Sequence, residues 1–149
     1  MAKKKQIVSL GLSLQGKNIW TVHAKLMRDI ADKKDIELLV ENFYKQALND
    51  EKIGPLFKKA EFVLEIHIPT MVSFWETILF DVITYRGNPM LKHIELNKTV
   101  PLMSAHFEQW MNIWKKTVRM NFEGPLAEKA ILRAGSIAQL MQYKIQQMN

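Results

Sequence analysis

The sequence predicts an all-α protein of one domain. Its 149 residues are enough for a single domain of common size. After about residue 20, apolar side chains recur at spacings of three and four, which is the period of an amphipathic helix. Glycine and proline divide these periodic stretches at 54–55, 86–90 and 124–125. Apart from a weak alternation at 10–14, no strand pattern competes with the helical one.

The first predicted helix covers 35–48, with Asp35 as its N-cap. Its apolar face consists of Ile36, Leu39, Val40, Phe43 and Ala47. The segment that follows, IGPLFKKA at 53–60, contains a Gly-Pro break and then apolar residues one turn apart. It therefore predicts a turn with a short helical piece.

The next helix is predicted to cover about 66–82. Its start is placed near His67 because Pro69 is tolerated in the first turn of a helix but not in its interior. The sequence RGNPM at 86–90 then predicts a second turn. His93 follows this turn and is expected just before another apolar helix.

Two long helices are predicted in the rest of the chain. Thr99 and Pro101 have the chemistry of a cap and a first turn, so a helix is expected from there to about Met120. Glu-Gly-Pro at 123–125 breaks the chain before the last helix. The predicted face of that helix is Leu126, Ala130, Arg133, Ile137, Leu140, Met141 and Lys144.

Composition excludes several classes of protein. With no cysteine, thiol catalysis, zinc–cysteine sites and iron–sulfur clusters are ruled out. The most apolar stretch, 62–85, is interrupted by charged residues and proline, and the first residues lack a signal-peptide cleavage site, so we expect a cytoplasmic location. Residues 1–20 are predicted to be an N-terminal extension of a domain covering 21–149. The sequence leaves open whether this extension is a disordered tail or packs onto the domain.

Four histidines are the main candidates for chemistry, because nucleotide-binding, zinc-protease, EF-hand and serine-hydrolase motifs do not occur. Each histidine alone is more often structural than functional. His67 and His93, however, lie beside bulky apolar residues and have no acidic or thiolate co-ligand nearby, which makes a zinc or calcium site improbable. Two such imidazoles suit a flat cofactor that brings its own equatorial ligands, and haem is such a cofactor.

Six segments occur in a fixed order between Asp35 and the C-terminus. They are ENFYKQALND, IGPLF, HIPTMVSFW, YRGNPMLKHIEL, HFEQWMNIWKKTV and LRAGSIAQ. On these segments the chain resembles the third group of the truncated haemoglobins. Its six glycines include no adjacent pair, which favours this group over the first and second. The resemblance implies a truncated globin fold, a two-over-two helical sandwich around haem b.

The resemblance also implies roles for single residues. His93 matches the proximal ligand of the iron, which must be a neutral imidazole, so iron affinity is expected to fall in acid. Tyr44 matches the tyrosine whose hydroxyl points at the bound gas. His67 matches the distal histidine, and Trp110 matches the tryptophan whose indole N–H reaches the distal side. His106 matches a residue at a helix start and not the ligand.

The remaining implied positions surround the cofactor. The apolar wall of the pocket corresponds to Phe43, Phe57, Met71 and Trp75. Arg86 and Lys92 are near the expected place of the haem propionates, although a charge of this kind is more often simply solvated. Whether His67 or Tyr44 also binds the iron when no gas is present is left open.

The implied function is the binding of dioxygen, nitric oxide or other small diatomic ligands at a five-coordinate iron with a polar distal pocket. Two strong donors together slow oxygen release by roughly a hundredfold, which favours chemistry on the gas, such as nitric oxide oxidation or peroxide reduction, over bulk transport. That chemistry requires a reductant, and the protein is expected to be a monomer or weak dimer. A gas sensor or store is one alternative. A basic nucleic-acid-binding protein is another, supported by the net charge of +6 but not by any basic helix face.

Overall fold

Six helices make up most of the chain between residues 27 and 148, which are the residues that the computed structural model describes. They are α1 (Lys33–Leu48), α2 (Gly54–Lys59), α3 (Leu64–Phe80), α4 (Pro89–Asn97), α5 (Ser104–Asn121) and α6 (Pro125–Met148). This part of the chain contains no strand, so the predicted all-α class is confirmed. The predicted N-terminal extension, 1–20, lies outside the described residues.

The four long helices pack as two pairs. Helix α1 lies against α3, α5 lies against α6, and the pairs meet where α1 contacts α5 and α3 contacts α6. The short α2 packs on α1, and α4 packs on α6. This is the two-over-two arrangement that the resemblance implies. Among the helices of the described chain, none is long and apolar enough to cross a membrane.

The contact between α5 and α6 depends on small side chains. The buried positions of α6 are Ala127, Ala130, Ala134, Ala138, Met141 and Ile145. The predicted face of this helix was therefore wrong in part, since Leu140 is 51% exposed and Arg133 and Lys144 face solvent. Alanine allows α5 to come close enough for the Trp114 indole N–H to donate to the carbonyl of Ala130 at 3.1 Å.

The first helix begins before its predicted start. Its N-cap is Asp32, not Asp35, and the Asp32 carboxylate accepts from the backbone N–H of Asp35 at 3.0 Å. The Asp35 carboxylate is buried instead, where it accepts two hydrogen bonds from the Arg28 guanidinium at 2.7 and 2.8 Å. It accepts a third from the backbone N–H of Ala31 at 2.8 Å.

Three further predictions about helix starts need correction. Helix α3 begins at Leu64, so Pro69 lies inside it and cannot donate to the carbonyl one turn earlier. Helix α4 begins at Pro89 and contains His93, which the sequence placed before a helix. Helix α5 begins at Ser104, later than the predicted start near Thr99 and Pro101.

An acidic side chain from before α1 caps α6. The Asp29 carboxylate accepts from the backbone N–H groups of Leu126 and Ala127, both at 2.8 Å. The intervening Gly124 has a φ of +148°, and a Cβ at this position would lie 2.5 Å from the Asp29 Cγ. Glycine is therefore required here both by its backbone conformation and by the close approach of Asp29.

We expect Asp29→Ala to lower the free energy of unfolding by about 1–2 kcal/mol, because two N–H groups of the first turn of α6 lose their acceptor. Urea denaturation of the full chain measures this. Glu123→Gln is the matched control, since this exposed carboxylate lies at the same helix entrance and makes no hydrogen bond or ion pair within residues 27–148. Equal stability of Asp29→Ala and wild type would contradict the capping role.

The ion pair of Asp35 predicts acid sensitivity. Its hydrogen bonds to Arg28 hold the pKa of the Asp35 carboxyl below its usual value, although burial opposes them. A carboxyl whose folded pKa is lowered stabilises the fold above its unfolded pKa of about 4, and this stability is lost as pH falls through the folded pKa. Asp35→Asn should therefore be less stable than wild type at pH 7, and the difference should shrink near pH 3. Denaturant midpoints of wild type, Asp35→Asn and the exposed control Glu41→Gln are measured at both pH values. A stability difference between Asp35→Asn and wild type that is the same at pH 7 and pH 3 would contradict the prediction.

Candidate functional site

Tyr44 lies at the centre of a cluster of aromatic rings. It is buried on α1, and its ring centroid is 5.2 Å from that of Phe62 and 6.0 Å from that of Phe57. Phe62 in turn lies 4.3 Å from the imidazole of His67, with the two rings inclined by 33°. Phe62, between α2 and α3, therefore separates Tyr44 from His67.

Trp110 joins this cluster from α5. Its ring is 5.7 Å from Phe43, which also contacts the ring of its neighbour Tyr44 at 5.1 Å. The turn of α5 that carries Trp110 is held by Gln109, whose amide donates to the Asp50 carboxylate at 2.7 Å. Tyr44, His67 and Trp110, which the resemblance assigns to one side of a cofactor, thus belong to one set of ring contacts.

Two donors of this cluster have no protein partner. Within residues 27–148, neither the Tyr44 hydroxyl nor the Trp110 indole N–H makes a hydrogen bond. Burial raises the pKa of the Tyr44 phenol, so the hydroxyl keeps its proton at neutral pH. A buried hydroxyl without an acceptor is unfavourable in a folded protein, and a ligand that accepts from it would relieve this.

His67 lies at the solvent side of the cluster. Its side chain is exposed, and Nδ1 donates to the carbonyl of Val63 at 2.9 Å. Because a carbonyl can only accept, the neutral ring carries its free lone pair on Nε2. His67 could therefore accept a hydrogen bond or bind a metal through Nε2.

His93 has the geometry of a metal ligand. Asn88 caps α4 by accepting from the backbone N–H of Leu91 at 3.0 Å, and Pro89 fills the first position of the helix. The carbonyl of Pro89 then accepts from Nδ1 of His93 at 2.7 Å. This bond fixes the ring and leaves the lone pair on Nε2, as in histidines whose second nitrogen is held while the first binds a metal. Burial lowers the pKa of His93, which keeps the imidazole neutral.

The other predicted pocket residues divide into two groups. Phe57 and Met71 are partly buried against the core, and Trp75 is 4% exposed with its ring stacked on Trp114 at 4.6 Å. Arg86 and Lys92 are exposed, and neither has an ion-pair partner within 27–148. The pocket roles of all five stay predictions.

Sequence reasoning missed the roles of two aromatic side chains near the site. Phe62 bridges Tyr44 and His67, but it lies outside any helix and so carries no periodic signal. Trp114 was assigned only to a helix face, although it contacts Phe43, Trp75 and Trp110. The one available signal was the spacing of Trp110 and Trp114, which places both on one side of α5.

The donor set limits what could bind here. No group of three or more histidine, cysteine, aspartate or glutamate side chains converges within residues 27–148. A metal held by protein ligands alone is therefore not supported in this part of the chain. One imidazole whose Nδ1 is held by a carbonyl, and two donors without a protein partner in the described chain, are the kind of donor set that suits a metal arriving with its own equatorial ligands, as in haem.

Comparisons with known proteins agree with this geometry. No model of a known protein family matches the chain. A group 3 truncated hemoglobin of Campylobacter jejuni is 27% identical over an alignment of 120 residues, and the alignment covers 76% of this chain and 92% of that relative. The crystal structure of a group III truncated hemoglobin from Campylobacter jejuni superposes with a TM-score of 0.72 and 22% identity, covering 80% of this chain and 95% of that one. The predicted resemblance to the third group of truncated haemoglobins is thus confirmed, and so is the truncated globin fold.

Proposed function

We propose that this chain is a haem protein that binds dioxygen and other small diatomic ligands. The observation that carries the proposal is the His93 imidazole, whose Nδ1 is fixed by the Pro89 carbonyl at 2.7 Å so that Nε2 is free for a metal. The relative's description as a truncated hemoglobin supports the same cofactor. Bound at this site, haem b would supply the iron atom to which the gas binds.

The chain's own residues would hold that cofactor by three kinds of contact. His93 would bind the iron through Nε2. Phe43, Phe57, Met71 and Trp75 would provide the apolar wall, because exclusion of water strengthens both cofactor binding and electrostatic interactions at the site. Arg86 and Lys92 are cations without a protein partner within 27–148, which suits them to the two propionates.

The distal side would act on the bound gas by hydrogen bonding. The Tyr44 hydroxyl and the Trp110 N–H are donors without protein acceptors in the described chain. Donors fixed in a water-poor site stabilise negative charge wherever it develops on a ligand. Such a pocket favours reactions of the gas, including nitric oxide oxidation and peroxide reduction, over prompt release. The alternative of a gas sensor or store would be favoured if the protein failed to turn over nitric oxide in the presence of a reductant.

Titration of the purified full chain with haem tests this proposal. We expect a sharp absorption band that saturates at one haem per chain, and a shift of that band when the reduced protein is exposed to dioxygen or carbon monoxide. A chain that binds nucleic acid instead would show neither. Absence of a saturable band would contradict the proposal. The reductant, the monomeric or weakly dimeric state and the cytoplasmic location stay predictions.

A further inference from the structure

A line of touching rings leads from the distal cluster toward the surface. Trp110 and Trp114 are parallel within 3° at 6.2 Å, and Trp114 stacks on Trp75 at 4.6 Å with an angle of 17°. Phe74 contacts Trp75 at 5.3 Å and contacts Tyr85 at 5.3 Å, in both cases edge to face. We call these five residues the aromatic relay.

The members of the relay differ in what they can do after losing an electron. Indole and phenol are the most easily oxidised one-electron donors in a chain that has no cysteine. The N–H of Trp114 is buried against the Ala130 carbonyl at 3.1 Å, and a carbonyl is too weak a base to take its proton. Oxidised Trp114 would therefore keep its proton, so it would readily take an electron back from a neighbour.

Tyr85 differs from Trp114 because it can release a proton. It is partly exposed and belongs to the segment 81–88, in which every other residue faces solvent. Its hydroxyl makes no hydrogen bond within residues 27–148, so water can accept the phenol proton. A tyrosine that loses an electron together with a proton becomes a neutral radical. Once Tyr85 has given an electron to the relay, the radical would therefore remain on Tyr85.

We infer that the aromatic relay carries electrons from Tyr85 to the distal pocket, and that Tyr85 is the surface site at which a small phenolic donor is oxidised. The inference rests on the proposed function, because hydrogen peroxide must react at the haem. Reduction of one peroxide breaks its O–O bond and forms two water molecules, with two electrons and two protons consumed. Two phenol molecules each supply one hydrogen atom at Tyr85 and leave as phenoxyl radicals, so atoms and electrons balance. Phe74 is crossed by tunnelling and is not itself oxidised.

The test is the position of the radical in the full chain loaded with haem. Protein treated with hydrogen peroxide and a nitroso spin trap is digested, and the trapped tyrosines are located by mass spectrometry. We expect adducts at Tyr85 and none at Tyr143. Tyr143 is the matched control because it is 60% exposed and has no ring contact within residues 27–148. If exposure alone decided where the trap reacts, Tyr143 would carry the adduct. An adduct at Tyr143 and none at Tyr85 would overturn the inference.

Two variants test the path between the pocket and Tyr85. Trp114→Phe removes the redox-active ring that contacts both Trp110 and Trp75, and Phe74→Leu removes the ring between Trp75 and Tyr85. Each should lower the yield of the Tyr85 adduct while the haem band and its reaction with peroxide persist. Phe74→Leu preserves the test if Trp114→Phe does not fold.

The outcomes separate this inference from the proposed function. Haem-loaded protein that consumes peroxide but carries no Tyr85 adduct would overturn the relay and leave the proposed function intact. A Tyr85 adduct whose yield equals that of wild type in both path variants would also overturn the relay. A chain that takes up no haem would contradict the proposed function and, with it, the relay.

Discussion

His93→Ala is expected to abolish stable haem binding by the full chain. In wild type the Pro89 carbonyl holds Nδ1 at 2.7 Å, which leaves Nε2 as the nitrogen that would bind the iron, and alanine provides no ligand. Loss of an outer partner of a metal ligand already weakens metal binding by about 10- to 100-fold, so loss of the ligand itself should exceed about 100-fold. The measurement is the rate at which haem transfers from the loaded protein to an excess of a high-affinity haem acceptor.

His106→Ala is the matched control for that experiment. His106 lies on α5, where its Nδ1 accepts from the backbone N–H of Met103 at 2.9 Å, so its removal affects a helix cap and not the iron. Haem loss from His106→Ala should match wild type, apart from a small loss of protein stability. Rapid haem loss from His106→Ala and slow loss from His93→Ala would reverse the assignment of the two histidines.

Tyr44→Phe is expected to accelerate dioxygen dissociation by roughly 10- to 100-fold. The Tyr44 hydroxyl is buried and makes no hydrogen bond within residues 27–148, and a hydrogen bond to a ligand with partial negative charge contributes about 1.5–3 kcal/mol. Stopped-flow displacement of dioxygen by carbon monoxide measures the rate. An unchanged rate would mean that the hydroxyl does not face the ligand.

Tyr44→Phe is expected to have a different effect on the protein without cofactor, where the quantity of interest is the free energy of unfolding. Because the hydroxyl has no partner in the described chain, its removal should leave the free energy of unfolding unchanged or slightly raised. Tyr143→Phe, at a tyrosine that is 60% exposed, should change neither quantity. A large loss of stability in Tyr44→Phe would indicate that the hydroxyl has a structural role.

The sequence predicted which segments are helical but misplaced several starts. Periodic apolar residues determine a helix through burial of one face, which a single sequence displays directly. Starts depend on caps, and two of them are unusual here. Val63 precedes α3 without a side-chain cap, and His106, the third residue of α5, accepts from the backbone of the N-cap Met103, a role more often taken by Glu or Gln.

Contacts between distant segments lay beyond sequence reasoning. Asp29 caps α6 across 97 residues, and nothing near Asp29 in the sequence indicates its partners. The alanine stripe of α6 was also missed in part, because hydrophobic periodicity gives more weight to Leu140 than to Ala134, although Ala134 is fully buried and Leu140 is 51% exposed. Both the cap by Asp29 and the buried face of α6 depend on how distant segments pack, and local sequence patterns do not show this.

The residues of the candidate site were identified through the resemblance, and their roles stay predictions. Tyr44, His67, His93 and Trp110 lie within short motifs that the resemblance identifies residue by residue. The structure adds the partners that set their chemistry, namely the Pro89 carbonyl for His93 and the Phe62 ring between Tyr44 and His67. Those partners depend on the turn of α4 and on the connection from α2 to α3, where sequence patterns are weakest.

The most direct measurement is the absorption spectrum of His93→Gly during titration with haem, first without and then with imidazole in solution. Free imidazole can occupy the space of the missing side chain and supply the same nitrogen to the iron. We predict a weak, shifted band without imidazole and recovery of the wild-type band when imidazole is added. A His93→Gly protein whose spectrum equals that of wild type without imidazole would contradict the assignment of His93 as the iron ligand.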